Sequence, residues 1–237
     1  MNSKLKDFIY SQNSINTYKS CPLKFKYKYI DNISWRYDDF SSNEYYEGLK
    51  LGREFHLLCE RYFSNILLGE INNDKFNKWI NKIKTVVPIK NEYTYLPEYE
   101  VRLNLNGNKI LAKYDLVVLK ENEIEIWDWK TESKEINYKN VENRIQTILY
   151  LVLAKEVIPK ILNIDIPSEN ISMKYYQPEF NNEPICIKYS DEKHKEYVNR
   201  INQYITLMKK INYKNDIEID KNNKHCSYCE FNKLCNS

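Results

Sequence analysis

Glycine, net charge and long apolar runs are all scarce in this sequence. Only four glycines occur in 237 residues. None belongs to a G-x-x-x-x-G-K-[ST] motif, which excludes a P-loop ATPase or GTPase. No stretch approaches the run of about 20 apolar residues that a membrane helix needs. The first residues, MNSKLKDFIY, lack the apolar run of a signal peptide. We therefore expect a cytoplasmic protein with no membrane contact.

The charge balance does not identify a partner. The chain has 36 basic and 33 acidic residues, and the net charge of +3 is too small to argue for nucleic acid by itself. Tyrosine is abundant, at 21 residues, and tyrosine beside lysine suits base stacking and phosphate binding. A bias in nucleotide composition would favour the same residue, so both explanations stay open. The apolar content of 42% is sufficient for a hydrophobic core.

Six cysteines are present, and four of them lie near the two ends of the chain. Three follow the spacing C-x2-C-x5-C at Cys226, Cys229 and Cys235, and Cys21 is a distant fourth candidate. Because cytosolic thiols are mostly reduced, this spacing favours a metal site over disulfides. Zinc and an iron–sulfur cluster are both compatible with the cysteines alone. The two remaining cysteines are expected in the core: Cys59 and Cys186.

Apolar periodicity predicts alternating helices and strands. The Asn106–Gly107 pair between two strand patterns predicts a tight hairpin, and Ser14 is a candidate N-cap for a first, short helix. A helix, a three-strand meander, a helix and a strand in this order predict an α/β fold around one mixed sheet. The predicted helices are 46–68, 73–86, 138–157 and 191–211, and the predicted strands are 98–105, 109–119, 124–130, 171–177 and 184–189.

Three charged residues interrupt the apolar strand patterns. Asp115 lies inside an apolar strand, where a buried carboxylate needs a cationic partner or a metal ion. Asp128 and Lys130 are two residues apart and therefore share one face of the next strand. The two aspartates suit a hard divalent cation, and the lysine suits the orientation or activation of an attacking water. Alone, the D-x-K triplet would more often be a structural ion pair at a strand end.

In this context the chain resembles the PD-(D/E)XK nucleases, in their RecB-like branch. The matching motifs are KYDLVV, with Asp115, and WDWKTES, with Asp128 and Lys130. The resemblance implies a restriction-endonuclease-like α/β fold, in which an αβββαβ core with a mixed sheet is flanked by helices. It also implies phosphodiester hydrolysis with Mg²⁺ or Mn²⁺. In that chemistry Asp115, Asp128 and Lys130 are catalytic, and the two aspartates bind the metal.

Two further motifs of the branch occur in the expected order. LGREFHLLCERYF places His56 before the strands, where the resemblance implies an additional metal ligand, and imidazole suits Mn²⁺ better than Mg²⁺. RIQTILYLVL places Gln146 and Tyr150 on one helix face, where the resemblance implies contact with DNA or with the catalytic lysine. Another carboxylate could come from Glu98 or Glu100, which strand alternation puts on the same face. We favour Glu100 as the further metal ligand.

The cysteine spacing resembles that of RecB-like nucleases with a [4Fe–4S] cluster, such as AddB and the CRISPR-associated RecB-like exonucleases. In these proteins one cysteine precedes the nuclease core and C-x2-C-x5-C follows it. The N-terminal S-x-x-x-Y-x-x-C-P-x-x-F pattern is also similar. The resemblance implies a [4Fe–4S] cluster on Cys21, Cys226, Cys229 and Cys235. It also implies one nuclease domain over 1–237, with a core at 46–190 and cluster-binding ends at 1–35 and 212–237.

Three functions are compatible with these features. The resemblance favours a DNA exonuclease that acts on single-stranded ends in CRISPR adaptation or DNA repair, beside a helicase or CRISPR integrase proteins on separate chains. The alternative is a non-catalytic iron–sulfur DNA-binding subunit of a helicase or integration complex. An electron-transfer iron–sulfur protein is a third hypothesis, but it gives the aspartates and the lysine no role.

Overall fold

The computed structural model describes residues 3–34, 43–214, 217, 226 and 229–236. Within these ranges the chain forms strands and α-helices, with short 3-10 turns at Ser3–Leu5 and Ser168–Asn170 and a π-helical turn at Lys26–Ile30. The strands are β1 (Ile9–Tyr10), β2 (Thr94–Leu105), β3 (Asn108–Leu119), β4 (Ile124–Trp129), β5 (Ile171–Tyr176) and β6 (Ile185–Lys188). The helices are α1 (Gln12–Ser20), α2 (Pro22–Phe25), α3 (Asn43–Phe63), α4 (Asp74–Val86), α5 (Tyr138–Glu142), α6 (Ile145–Leu162), α7 (Asp191–Lys210) and α8 (Asn232–Asn236).

The strands form one mixed sheet organised around β3. β2 pairs antiparallel with β3 along its length, and the hairpin between them turns at Asn106 and Gly107, both with positive φ. On its other side β3 pairs in parallel with β1 near its start and antiparallel with β4 near its end. β5 is parallel to β4, and β6 is antiparallel to β5. The predicted mixed sheet and hairpin are therefore confirmed.

Helices cover both faces of the sheet. α6 is apolar around most of its circumference, and it is buried against the sheet and α7, as a helix with this pattern must be. On the opposite face α3 and α4 pack on the apolar side chains of β3 and β4, where the rings of Phe63 and Trp129 stack with centres 6.0 Å apart. Among the described residues, no helix has the length and apolarity needed to cross a bilayer.

Several element boundaries differ from the predictions. α1 begins earlier than predicted, because Ser11 is its N-cap and Ser14 is the third helical residue of a reciprocal capping box. α3 ends at Phe63 rather than near residue 68. The helix predicted after the meander is two helices, α5 and α6, with a break at Asn143 and Arg144. β1 escapes prediction because two residues carry no periodic pattern.

The two ends of the described chain contact each other. Lys24 Nζ lies 2.6 Å from a carboxylate oxygen of Glu230, and the ring centres of Tyr27 and Phe231 are 5.5 Å apart. Phe25 connects the N-terminal segment to the main hydrophobic core. Much of the predicted C-terminal segment, at 215–216, 218–225 and 227–228, lies outside the described residues. The division into one nuclease core and two cluster-binding ends stays a prediction.

Candidate metal and catalytic site

The sheet opens where β3 passes Asp115. The pairing of β3 with β4 begins at Leu116, one residue after this aspartate. The pairing with β2 keeps its register on both sides of Asp115, but the pair that would join it to Glu98 is missing. The side chain replaces part of the lost ladder, since Asp115 Oδ2 accepts a hydrogen bond of 2.7 Å from the Trp129 backbone N–H. Asp115 therefore lies at a gap between strands on both of its sides.

Three potential metal ligands surround this gap. His56 on α3, Glu98 on β2 and Asp115 on β3 bring ligand atoms within 4.8 Å of one another, and all three are partly buried. His56 Nδ1 is 3.3 Å from Asp115 Oδ1. Two carboxylates with one imidazole suit Mn²⁺, and the oxygens suit Mg²⁺. Three elements that are distant in the sequence thus converge on one possible ion site.

Glu98, rather than Glu100, is the carboxylate that β2 contributes. Glu98 has a φ of 50°, in the left-handed region that non-glycine residues rarely adopt, and this breaks the alternation that would put both glutamates on one face. One of its carboxylate oxygens lies 2.6 Å from Lys113 Nζ. Glu100 is exposed and instead binds Arg102, with guanidinium nitrogens at 2.9 and 3.0 Å. The preference for Glu100 is therefore corrected, because the backbone turns at Glu98.

Asp128 lies beside this group without belonging to it. The residue is 1% exposed, Oδ1 accepts a short hydrogen bond from Gln146 Nε2, and Oδ2 is 2.6 Å from Lys130 Nζ. Among the described residues, the Lys130 ammonium is the one partner that Oδ2 is found to have. Burial raises the pKa of Asp128 to about 6, and the negative charge of Asp115 reinforces this shift against the opposing charge of Lys130. The charge of Lys130 therefore does not by itself offset the burial of this carboxylate.

His56 ionises under the influence of the same carboxylates. Burial disfavours its charged form, but the hydrogen bond and charge of Asp115, with a further contribution from Asp128, raise the pKa of His56 to about 8. Its Nε2 lies 3.1 Å from the Trp129 carbonyl oxygen, and with Nε2–H donating there, Nδ1 is the nitrogen that faces the carboxylates. A metal ion at this site would compete with a proton for Nδ1.

α6 holds the lysine and the open strand in place. Gln146 bonds both members of the ion pair, because its Nε2 donates to Asp128 and its Oε1 accepts from Lys130 Nζ at 3.1 Å. One turn later, the Tyr150 hydroxyl donates to the Lys113 carbonyl at 2.5 Å. The structure thus brings Gln146 to Asp128 and Lys130, and it brings Tyr150 to the cleft that Asp115 also lines. Their roles in DNA contact or catalysis stay predictions.

The loop that follows Lys130 is fastened by Gln177, which no sequence motif indicates. Its side chain is completely buried, and Nε2 donates to the carbonyls of Glu132 and Lys134 at 2.8 and 2.9 Å. Its Oε1 accepts from the Ile136 N–H at 3.0 Å. A single glutamine therefore supplies three hydrogen bonds to the loop. Local sequence patterns miss it because its partners lie some forty residues earlier in the chain.

α3 approaches the same loop closely at Gly52. A Cβ atom on Gly52 would lie 3.0 Å from Thr131 Oγ1, so the threonine side chain would have to move by a few tenths of an ångström to admit it. The glycine thus allows a close approach between α3, one turn before His56, and the loop after Lys130.

A cleft of about 750 Å³ opens at the three ligands. Its lining includes one face of α3, the sheet residues Glu98, Lys113 and Asp115, and Tyr150 from α6. Gln12 of α1 also lines it, and Gln12 Nε2 donates to the Tyr150 hydroxyl at 3.4 Å. The N-terminal segment therefore reaches the candidate site, which the sequence motifs do not indicate.

The four terminal cysteines are free thiols of intermediate exposure. Burial raises the pKa of Cys229, and Cys21 from the opposite end of the chain adds to this shift while Lys24 opposes it. Within the described ranges, no three of the cysteines bring their sulfurs within 4.8 Å of one another. Four thiolates around one zinc ion would be about 3.8 Å apart, given Zn–S bonds of about 2.3 Å. The described residues therefore show no gathered group of cysteine sulfurs, and the iron–sulfur cluster stays a prediction.

The two other cysteines differ from each other. Cys59 is buried in the core between α3, α4 and the sheet, as predicted. Cys186 is exposed on the edge strand β6, so the prediction that it belongs to the core is wrong. Its apolar neighbours in the sequence, Ile185 and Ile187, indicate a strand, but only alternation decides which side chains face outward.

Comparisons with known proteins agree with this architecture. The family model described as the PD-(D/E)XK nuclease superfamily matches residues 9–96 and 67–236. The crystal structure of a candidate exonuclease from Eubacterium rectale is 11% identical, with a TM-score of 0.58 over 96% of this chain and 90% of that one, which shows similarity of fold alone. The crystal structure of SSO0001 is 15% identical, covering 96% of this chain and 85% of that one, and its TM-score of 0.42 carries no argument. No curated protein matches the sequence.

Proposed function

This chain belongs to the PD-(D/E)XK nuclease superfamily, and from that premise we propose that it is a divalent-metal-dependent DNA exonuclease. In this proposal one nuclease domain hydrolyses phosphodiester bonds at single-stranded ends in the cytoplasm. Its setting is CRISPR adaptation or DNA repair, beside a helicase or integrase on separate chains.

The observation that carries the proposal is the convergence of His56, Glu98 and Asp115 beside the ion pair of Asp128 and Lys130. A purely structural ion pair would satisfy its own charges. Here two further carboxylates and an imidazole gather next to a buried aspartate whose pKa stays raised despite its lysine partner. Arrangements of this kind are typical of sites that bind a cation.

Each residue has a distinct proposed role in hydrolysis. Asp115, His56 and Glu98 hold the metal ion, with Asp128 as the further carboxylate. Bound there, Mg²⁺ or Mn²⁺ supplies Lewis acidity and lowers the pKa of water. Lys130 orients the attacking water and donates a hydrogen bond to the phosphate oxygen on which charge develops.

Two residues of α6 position this machinery in the proposal. Gln146 keeps the Lys130 ammonium and the Asp128 carboxylate at a constant separation, since it bonds both. Tyr150 ties α6 to the carbonyl of Lys113 and so supports the edge of the cleft. Tyr150 also lines the cleft.

We also propose a structural [4Fe–4S] cluster on Cys21, Cys226, Cys229 and Cys235. The contacts of Lys24 with Glu230 and of Tyr27 with Phe231 support it, because they bring the two ends of the chain together. A link between residues about two hundred positions apart also restricts the unfolded chain. The corresponding closure entropy stabilises the fold by about 5 kcal/mol.

The cluster is tested by replacing one of its ligands and one exposed cysteine. We expect Cys226→Ala, purified without oxygen, to lose the visible iron–sulfur absorbance and to melt at a lower temperature. The control Cys186→Ala removes an exposed thiol on β6 and should change neither property. Full colour and an unchanged melting temperature in Cys226→Ala would refute the cluster.

The nuclease is tested with end-labelled linear single strands, linear duplexes and circular single strands, in Mn²⁺ or Mg²⁺. We expect linear single strands to be degraded and circles to resist, because an exonuclease needs an end. Lys130→Ala should lower cleavage by about a thousandfold, since it removes the group that stabilises the transition state. Lys160→Ala is the control, because this lysine is exposed near the end of α6.

Each alternative gives a different result in the same assay. Cleavage of circular DNA would indicate an endonuclease. Full activity in Lys130→Ala would refute the assignment of the catalytic lysine. DNA binding without cleavage by the wild-type protein in either metal would favour the non-catalytic DNA-binding subunit.

A further inference from the structure

One face of α3 presents an unusual surface to the cleft. Leu49, Arg53 and Leu57 are spaced four residues apart, so they follow one face of the helix, and all three line the cleft that contains His56 and Asp115. Leu49 is 47% exposed and Leu57 is 53% exposed. Single exposed leucines are common on protein surfaces. Two on the same helix face, turned into a charged cleft, form a surface suited to an apolar part of a ligand.

Arg53 lies between the two leucines. Its side chain is exposed, and it makes no hydrogen bond or ion pair within the part of the chain that the structure describes. Lys113, on the sheet side of the cleft, is by contrast held 2.6 Å from Glu98. The guanidinium is therefore available for an anion such as a phosphate.

We propose that Leu49, Arg53 and Leu57 form a subsite for unpaired nucleotides of a DNA strand. The leucines pack against the faces of the bases, and the arginine binds the backbone phosphate between them. The inference rests on the proposed nuclease function and specifies its substrate. The two leucines are about 12 Å apart along the helix, at 1.5 Å per residue, and stacked bases are only about 3.4 Å apart, so they contact different nucleotides.

A duplex does not fit this surface as well as a single strand does. In a duplex the faces of the bases are covered by their neighbours, and only the base edges and the backbone are accessible. Unpaired bases can turn and pack against apolar side chains.

The subsite is tested by binding alone, so that its outcome does not depend on cleavage. Fluorescence anisotropy is measured in EDTA with three labelled probes: a short oligothymidylate, an abasic oligomer of the same length and charge, and a duplex. The variants are Leu49→Ala/Leu57→Ala and Arg53→Ala. Alanine keeps the helical preference of α3. The control is Leu67→Ala, which truncates a leucine that is 88% exposed and does not line the cleft.

Base packing and phosphate binding predict different patterns. The double leucine variant should bind oligothymidylate about tenfold more weakly and the abasic oligomer as the wild type does. Arg53→Ala should weaken both single-stranded probes and lower the slope of log affinity against log salt by about one. Leu67→Ala should change nothing, and the wild type should prefer oligothymidylate to the duplex.

Three results would overturn the subsite. The first is that the leucine variant loses the same affinity for both single-stranded probes, and the second is that it loses affinity for neither. The third is that the wild type binds the duplex at least as tightly as oligothymidylate. Failure of the proposed function is a separate result, because it is the absence of metal-dependent cleavage by the wild type.

Discussion

Strand β4 carries two buried carboxylates that are three residues apart, and their surroundings differ. Glu125 is 7% exposed, and its oxygens lie 2.5 Å from Lys120 Nζ, 2.6 Å from Lys174 Nζ and 3.1 Å from Trp127 Nε1. Asp128 has a single lysine and one amide, and a second carboxylate is close enough to raise its pKa.

The two groups respond to burial in opposite ways. Burial opposes the ionisation of both. At Glu125 the lysines outweigh it and lower the pKa of the carboxyl. At Asp128 burial dominates and raises the pKa to about 6. Burial of a carboxylate is therefore not by itself the sign of a site. What distinguishes the two is whether the surrounding donors compensate the charge, and only Asp128 lacks that compensation.

The largest contrast should come from neutralising each carboxylate in turn. We expect Asp128→Asn to lose cleavage by about a thousandfold and to fold, without metal, at least as stably as the wild type. Glu125→Gln should keep the cleavage rate per folded molecule and lose about 3 kcal/mol of unfolding free energy, because two lysines lose their shared partner. Urea denaturation and the end-labelled assay measure the two effects. Loss of activity in Glu125→Gln with unchanged stability would reverse the assignment.

The second contrast concerns metal binding. Mn²⁺ at about a hundred times its dissociation constant stabilises the folded state by about 2.7 kcal/mol. For a chain of this size, that corresponds to a rise in melting temperature of about 5–10 °C. We expect Mn²⁺ to raise the melting temperature of the wild type and of Glu125→Gln. It should not raise that of Asp115→Asn, because this variant lacks a proposed metal ligand. An equal rise in Asp115→Asn would mean that Mn²⁺ binds elsewhere.

The smallest contrast is in the pH dependence of stability without metal. Folding raises the pKa of Asp128 from 3.8 to about 6, so the folded state holds this proton more tightly, and the resulting stability is lost as pH rises through that range. Asp128→Asn has no ionisable group at this position, so its stability does not fall in this way. The difference in unfolding free energy between this variant and the wild type should therefore grow as pH rises from 3.8 to about 6.

Glu125 should show the opposite sign in the same experiment. Its pKa is lowered from 4.5, so its contribution is present above 4.5 and is lost as pH falls through its folded-state pKa. The deficit of Glu125→Gln relative to the wild type should shrink in acid. Urea denaturation of the three proteins across this pH range measures both trends, and parallel profiles would contradict the distinction between the two carboxylates.

Much of the fold follows from local patterns. The alternation in the meander and the Asn106–Gly107 pair predict the β2–β3 hairpin and the mixed sheet, because strand period and turn conformation depend on neighbouring residues. The apolar spacing of α3, α4, α6 and α7 likewise predicts their existence. Their ends are less predictable, since a cap such as Ser11 or the break at Arg144 depends on single hydrogen bonds and on packing.

The candidate site is only partly accessible to such patterns. Asp115, Asp128 and Lys130 are prominent because charges in apolar strands need an explanation. Glu98 cannot be separated from Glu100 by alternation, since the choice depends on one backbone angle. Gln177 and Gln12 carry no motif at all, and their importance appears only through partners distant in the chain.

The sequence by itself thus determined the sheet, its hairpin, most helices and the three charged residues at its centre, because these depend on period, turn chemistry and the cost of burying charge. Only the tertiary structure decided that the ladders open on both sides of Asp115 and that His56 and Glu98 meet there. It also decided that lysines compensate the negative charge of Glu125, whereas the charge of Asp128 is not compensated. Those outcomes depend on which side chains from distant segments meet in the low-dielectric interior, and no local pattern contains that information.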